Sequence, residues 1–166
     1  MLLALAVASG PGACTGARSR PTERTPRADS AFAAMQARGE TVMGVDQYTS
    51  AHVFEDLPDG GRIVLDRDTE SDSGGIARVR QHMHAIAAAF TAGDFAQPFQ
   101  VHAAAVPGTS VMAARRSAIS YQEVDRPRGA EVRIRTTDAT AIAAVHQFLA
   151  FQRGAHHASG HDGQKE

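Results

Sequence analysis

The stretch HVFEDLPDGGRIVL at residues 52–65 decides the fold, because a second stretch, YQEVDRPRGAEVRI at residues 121–134, repeats its pattern at a constant offset of 69. Three aligned positions are identical: Asp56 with Asp125, Pro58 with Pro127, and Gly60 with Gly129. A Pro and a Gly two residues apart, between segments of alternating polarity, are typical of a turn. Each stretch therefore predicts a β-hairpin.

An amphipathic helix is predicted after each hairpin. Residues at intervals of three and four mark one face of each helix, and the two faces align at an offset of 66: Ile76, Val79, Met83, Ile86 and Phe90 in the first, and Ile142, Val145, Leu149 and Gln152, with Phe148 beside them, in the second. This period gives a helix one buried face. We therefore predict an α+β fold of duplicated ββα units over residues 41–153, in which two helices pack on one face of a four-stranded antiparallel sheet.

The composition fits one modest globular domain with tails. The chain has 166 residues, of which 43% are hydrophobic, and its 17 Lys and Arg residues nearly balance 18 Asp and Glu residues. A near-neutral chain without a basic stripe argues against a nucleic-acid-binding protein. The single cysteine excludes a disulfide framework within the chain and a cysteine-rich metal site.

Both ends of the chain differ from its centre. Residues 1–14 begin with eight apolar residues and reach Cys14 through small residues, which is typical of a lipoprotein-like export signal. The apolar run is too short to span a bilayer, so we expect an exported, periplasmic protein that touches a membrane only through a lipid on Cys14. No Lys or Arg precedes the run, and a cytoplasmic protein with an apolar N-terminus is the alternative.

Polar segments flank the predicted domain, and a linker divides it. Residues 15–40 are rich in Arg, Pro, Thr and Ser and predict a disordered tether, whereas residues 154–166 predict a polar, histidine-containing tail. Within the linker at residues 93–110, the apolar stretch at 99–106 suggests an extra edge strand.

Two histidines break the duplication. His52 aligns with Tyr121 and His82 aligns with Phe148, so each histidine stands where the other unit has an aromatic ring. His102 lies in the linker, and a turn at Pro107-Gly108 would bring Met112 back towards it.

These residues, His52, His82, His102 and Met112, form a candidate metal site. Imidazole together with thioether suits copper, and imidazole alone suits zinc or nickel. No His-Glu-x-x-His or Cys-x-x-Cys motif is present, which favours the interpretation that His52, His82 and His102 are partly buried, hydrogen-bonded packing residues. In the tail, His156, His157 and His161 would hold a metal only weakly, because nothing there supports them.

The chain resembles a family of small uncharacterised bacterial proteins, through MGVDQ at residues 43–47, DGG at residues 59–61 and AVHQFLAFQ at residues 144–152. The resemblance covers most of residues 41–157. It includes five residues to which the family assigns no established role: His52, His82, His102, Met112 and His146. The export signal is a departure from the family, whose members often lack one.

Some members of that family carry an automatic label of aspartate carbamoyltransferase. That enzyme class needs two larger domains and a Ser-Thr-Arg-Thr loop at a helix N-terminus to hold carbamoyl phosphate. The nearest string here, IRTT at residues 134–137, lacks that motif. The sequence therefore gives the label no support.

Three functions are compatible with the sequence. The first is a binding or accessory domain without catalysis, with a site for a small ligand or metal at the junction of its repeats. The second is a metal-dependent enzyme that uses the same histidines. The third is an interaction module that forms a homodimer through an open sheet face or edge. No Ser-His-Asp or Cys-His arrangement can be assembled from the sequence, which favours the first function.

Overall fold

A computed structural model of the chain describes residues 26–44 and 47–158. Among these residues, five α-helices and four β-strands form an α+β fold, which confirms the fold class predicted from the sequence. The helices are α1 (Pro26–Met43), α2 (Ser73–Thr91), α3 (Ala96–His102), α4 (Thr109–Ala114) and α5 (Ala139–His156). The strands are β1 (Ser50–Leu57), β2 (Gly60–Arg67), β3 (Ser120–Arg126) and β4 (Gly129–Arg135).

The strands form one antiparallel sheet in the order β1-β2-β4-β3. The second strands of the two hairpins, β2 and β4, pair at its centre. Each hairpin closes on equivalent positions, with Leu57 opposite Gly60 in the first and Arg126 opposite Gly129 in the second. The predicted duplication is therefore present in the register of the sheet.

Each long helix packs mainly over the hairpin of the other unit. The helix α2 follows β2 but lies chiefly on β3 and β4, whereas α5 follows β4 and lies on β1 and β2. Their faces meet the sheet in one core whose largest fully buried side chains are Phe90, Phe148, Leu65, Met83, Met112, Ile134 and Leu149. Because the helices cross over, each unit completes the core of the other.

Equivalent aspartates start the two long helices. The carboxylate of Asp72 accepts a hydrogen bond from the backbone N–H of Gly75, and that of Asp138 accepts from Thr140 and Ala141. Such N-caps satisfy N–H groups that have no partner within the helix. The two helices therefore begin in the same way in both units.

The N-terminal side of the domain differs from the sequence-based prediction. Residues 15–40 have the composition of a disordered tether, yet α1 is helical from Pro26 onwards. Met35 on this helix is 6% exposed, and the Nε atom of Arg38 donates a hydrogen bond to the Val101 carbonyl at 2.8 Å. Composition misses α1 because a buried Gln36 and a buried Gly39 interrupt the apolar residues of its packed face.

The predicted edge strand at residues 99–106 is wrong, because the chain forms α3 there. Its two buried residues, Pro98 and Val101, are three apart, which is helical spacing. The helix ends at Ala103, whose φ of 51° lies in the left-handed region. His102 therefore lies in the last turn of a helix and not on a strand.

The C-terminal boundary also differs from the prediction. The helix α5 continues through Gly154 to His156, so these residues belong to the folded domain and not to a tail. The predicted export signal with Cys14, and His161, lie outside the described residues. None of the described helices combines the length and apolarity needed to cross a bilayer.

Candidate functional site: a histidine-lined cavity

Three aromatic side chains meet in the core between α2, α5 and β3. The ring centroid of Phe90 lies 5.7 Å from that of Tyr121 and 5.8 Å from that of Phe148, and both contacts are edge to face. Edge-to-face packing is a favourable arrangement of aromatic rings. We call Phe90, Tyr121 and Phe148 the aromatic cluster.

The duplication maps the aromatic cluster onto three histidines. With the hairpin offset of 69 and the helix offset of 66, the equivalent pairs are Tyr121 with His52, Phe148 with His82, and Phe90 with His156. We call His52, His82 and His156 the histidine cluster. The two clusters occupy equivalent positions of the duplicated fold, and one of them consists entirely of imidazoles.

Stacked and perpendicular rings surround His156. Its ring centroid lies 5.2 Å from that of His52, with an interplanar angle of 26°, and 5.1 Å from that of His102, with an angle of 86°. Phe54 lies 5.7 Å from the same ring. His156 therefore joins imidazoles from β1 and α3, two elements that are distant in the sequence.

These imidazoles line a cavity of about 70 Å³ that is partly open to solvent. A volume of this order has room for an ion or a ligand of a few atoms, since a single water molecule needs about 10–15 Å³ on the same measure. Its polar wall consists of His52, His82, His102, Gln97, Gln152 and His156. The remaining wall is apolar and comes mostly from α2, the sheet, α3 and the end of α1: Val42, Met43, Phe54, Ile63, Leu65, Met83, Ile86, Phe90, Pro98, Val101 and Phe148.

The imidazoles of the cavity are neutral at ordinary pH. Burial, and to a smaller extent the neighbouring His82, lower the pKa of His52 to about 4. Burial likewise lowers the pKa of His82 to about 4, and burial with the adjacent imidazoles lowers the pKa of His156 to about 3. A neutral imidazole has one N–H donor and one free lone pair, so every ring offers an acceptor or ligand atom.

Gln152 fixes the tautomer of His102. The Nε2 atom of His102 lies 2.8 Å from Oε1 of Gln152, which is 5% exposed. Because the amide oxygen can only accept, Nε2 carries the proton and the lone pair is on Nδ1. Burial lowers the pKa of His102, although the hydrogen bond that its Nε2–H donates to Gln152 acts in the opposite direction. The neutral form with a free Nδ1 is therefore the resting state of this ring.

Two polar atoms of the cavity wall have no hydrogen-bond partner within the described part of the chain. They are Nδ1 of His156 and Oε1 of Gln97, and both atoms are shielded from solvent. Leaving such an atom unsatisfied costs about 1–3 kcal/mol. A buried polar atom without a partner is uncommon in native proteins, and it marks a place where a ligand can supply the missing bond.

A different histidine, His146, has a structural role. Its Nε2–H faces the carbonyl oxygens of Leu57 and Gly60, each at 3.0 Å, and so closes the first hairpin turn. Its equivalent in α2, Arg80, donates to the carbonyls of Arg126 and Gly129 at the second turn. Each long helix therefore holds the turn of the opposite hairpin, and His146 is not part of the cavity.

The structure brings together part of the candidate site predicted from sequence. His52, His82 and His102 all line the cavity, but Met112 is fully buried in the core and does not. The residue that the sequence analysis missed is His156, because Gly154 placed it in a tail. Its match to Phe90 at the helix offset was the available signal.

Two other methionines line the cavity in place of Met112. Met83 lies on the buried face of α2, and Met43 is the last residue of α1. With the side chains as they stand, no three His, Cys, Asp or Glu residues in ranges 26–44 and 47–158 are arranged to hold one metal ion. The cavity wall therefore contains histidine and methionine side chains, the residue types of many metal sites, but the described side chains do not point to one common position.

No protein-family model, curated protein or solved structure matches this chain significantly. The candidate site therefore rests on the geometry of this chain alone.

Proposed function

We propose that the protein is a small-ligand-binding domain and that the histidine-lined cavity is its binding site. The observation that supports this most directly is the replacement of an aromatic cluster by a histidine cluster at equivalent positions of a duplicated core. The same fold accepts three aromatic rings, those of Phe90, Tyr121 and Phe148, at the equivalent positions, so three imidazoles are not needed there for packing.

The histidine cluster costs stability relative to aromatic rings. Burying a polar group without a compensating hydrogen bond is unfavourable, and the Nδ1 atom of His156 has no such bond in the described structure. Positions that break a local packing rule without a structural gain are most often functional sites. Imidazoles with strongly lowered pKa values in a cavity are a further indication of such a site.

The lining favours binding over catalysis. Among the described residues that form its wall, none is an Asp, Glu, Ser, Thr, Cys, Lys or Arg. A hydrolytic or transfer reaction usually needs an activated nucleophile or a carboxylate next to the base. We therefore propose an accessory or binding domain. The alternative is a metal-dependent enzyme that uses the same histidines.

We propose that the protein acts outside the cytoplasm, on the basis of the apolar segment and Cys14 at its N-terminus. N-terminal analysis of the protein made in a bacterial host decides this point. A mature chain that begins at a lipidated Cys14 and partitions into detergent supports export, whereas an intact Met1 in the soluble fraction contradicts it.

Xenon is a suitable probe for the cavity, because it enters apolar cavities without a specific chemical partner. We expect saturable NMR shifts at the methyl groups of Met83, Ile63 and Ile86 under xenon pressure. The triple variant H52F/H82F/H156F places larger rings in the cavity and should weaken these shifts. If xenon leaves the lining methyls of the wild-type protein unshifted, the cavity takes no guest and the proposal fails.

A further inference from the structure

We propose that the cavity binds one Cu(I) ion, through the imidazoles of His52, His102 and His156 together with a methionine thioether from Met43 or Met83. This inference rests on the proposed binding function and names the ligand of the same site. It follows from the spacing of the rings, the state of their nitrogen atoms, the charge of the wall and the sulfur ligands that line it.

The ring spacing fits a shared ion. Two imidazoles bound to one ion at metal–nitrogen distances of about 2.0–2.1 Å have ring centroids roughly 5–5.5 Å apart at tetrahedral or trigonal angles. His156 lies 5.2 Å from His52 and 5.1 Å from His102, measured between ring centroids. Each of these two separations from His156 is therefore that of a pair of imidazoles bound to one ion.

Binding of one ion requires the rings to change orientation. His52 and His156 are nearly parallel, at 26°, so their lone pairs do not yet point to one place. The χ2 torsion of histidine is broad, and rotation about it turns a ring with little displacement of the backbone. The cavity beside the rings gives them space for this rotation.

Two of the three rings have a nitrogen atom available as a ligand. The hydrogen bond from Nε2 of His102 to Gln152 leaves the lone pair on Nδ1. A ligating histidine typically donates its other N–H to an oxygen atom in this way. The Nδ1 atom of His156 is buried without a partner in the described residues, and a metal–nitrogen bond would satisfy it in its neutral form.

The charge of the wall favours a monovalent ion. The buried carboxylate of β1, that of Asp56, is already paired with Arg153 at 2.9 Å. No acidic residue among the described ones lines the cavity to offset the charge of a bound ion. The cost of burying an ion rises with the square of its charge, so Cu(I) is penalised far less than Zn(II) or Cu(II).

The sulfur atoms point to the same ion. Thioether ligands are soft and select Cu(I), whereas hard divalent ions prefer oxygen. Both Met43 and Met83 line the cavity, and Met83 is 1% exposed, so its sulfur is protected from water. Neutral imidazole and thioether together form a ligand set that suits monovalent copper.

The test titrates Cu(I) without oxygen into the full chain carrying Cys14→Ser, in competition with a chromophoric Cu(I) chelator. We expect one tightly bound equivalent. In H52F/H156F the affinity should fall by more than about 100-fold, which is the upper end of the loss caused by removing a supporting residue. The matched control is His84→Ala, because His84 is 77% exposed and should leave the affinity unchanged.

A second measurement needs no substitution at the site. Cu(I) has a filled d shell and leaves NMR signals sharp, so the ring resonances of the wild-type protein should shift at His52, His102 and His156. The double variant M43L/M83L should lower the Cu(I) affinity at least tenfold, and unchanged affinity would remove the thioether from the site.

The outcomes separate the two proposals. No stoichiometric Cu(I) binding, equal binding in H52F/H156F, or ring shifts confined to other histidines would each overturn the copper site. If xenon nevertheless enters the cavity, the binding function stands and only the identity of the ligand is wrong. If neither probe enters, both proposals fail.

Discussion

Ile63 and Val132 are equivalent residues of the two units, and they lie directly opposite each other in the β2–β4 pair. A residue that pairs with its own counterpart must lie on the pseudo-two-fold axis that relates the two units. The two hairpins are thus arranged around the Ile63–Val132 pair, and the strand pairs on either side of it correspond, as Gly60–Arg135 corresponds to Asp66–Gly129. The histidine cluster can be compared with the aromatic cluster for this reason.

The first prediction concerns the glycines of the hairpins. A Cβ atom at Gly129 would lie 1.9 Å from the Leu65 carbonyl oxygen, so Gly129→Ala must displace the central strands. We expect it to lower the free energy of unfolding by about 2 kcal/mol or more, since strain at a closely packed backbone is among the large mutational effects. Urea denaturation measures the change.

Gly154 provides the matched control for this substitution. It lies in α5, and a Cβ atom there would meet nothing within 4 Å. Gly154→Ala should raise stability by about 0.5–1 kcal/mol, because glycine inside a helix costs conformational entropy. A destabilised Gly154→Ala, or a harmless Gly129→Ala, would contradict the packing described for these two positions.

The second prediction tests the cost of the histidine cluster. In metal-free protein, H52F/H82F/H156F should increase the free energy of unfolding by about 1–3 kcal/mol, because it removes buried polar atoms from the core. Phe is preferable to Tyr at position 52, since the Tyr121 hydroxyl is buried without a hydrogen-bond partner in the described structure. Thermal and urea denaturation measure the effect, and a loss of stability would show that the imidazoles are packing residues.

The duplicated hairpins and the buried faces of α2 and α5 could be predicted from sequence, because the Pro-Gly turns and the three-and-four spacing are local signals. The packing of each helix over the hairpin of the other unit could not be predicted. The spacing of apolar residues shows which face of a helix is buried, but it does not show which hairpin covers that face. His156 was missed for a related reason. An exposed Gly154 inside α5 resembles a helix end in the sequence, although packing of His156 on Phe54 continues the helix.

Met112 illustrates the limit of arguments from turns. Pro107 and Gly108 do make the chain turn, and Gly108 has a φ of 83°. The turn starts α4, however, and α4 packs against α5, so that Met112 enters the core and not the cavity. Methionines do line the cavity, but the sequence could not show which ones.

The third prediction ranks three residues of α5. Phe148→Ala should be the most harmful, at about 3–5 kcal/mol, because Phe148 is 1% exposed at the contact between α5 and the aromatic cluster. Val145→Ala should come second. His146→Ala should cost about 1–2 kcal/mol, because it removes the hydrogen bonds to the first hairpin turn. Urea denaturation midpoints in which His146→Ala is the worst would contradict this order.

The fourth prediction concerns acid. The pKa values of His52 and His82 are lowered from 6.5 to about 4 in the folded protein, so the unfolded chain binds protons first. The metal-free protein should be fully stable above pH 6.5 and should lose stability as the pH falls from 6.5 towards 4. At pH 5 each such histidine accounts for roughly 1–2 kcal/mol.

The comparison with H52F/H82F/H156F isolates this effect from the carboxylates, which titrate in both proteins. The remaining titratable group in the cavity wall is His102, whose pKa is also lowered by burial. The variant should therefore show a much shallower dependence of unfolding free energy on pH between 6.5 and 4. Parallel curves for the two proteins would show that the imidazoles are accessible to protons in the native state.

The last prediction concerns Gln152, a positioning residue that acts through His102. The amide oxygen of Gln152 accepts the Nε2–H of His102, so wild-type His102 should show the Nε2–H tautomer in nitrogen NMR spectra. Gln152→Leu removes the acceptor and should give a mixture of the two tautomers while the fold is kept, since Leu is apolar and of similar length. Cu(I) affinity should fall about 10–100-fold, as is usual when the partner of a ligating histidine is lost. Gln152→Glu keeps the acceptor and should restore the Nε2–H tautomer. A wild-type tautomer in Gln152→Leu would mean that Gln152 does not position the ring.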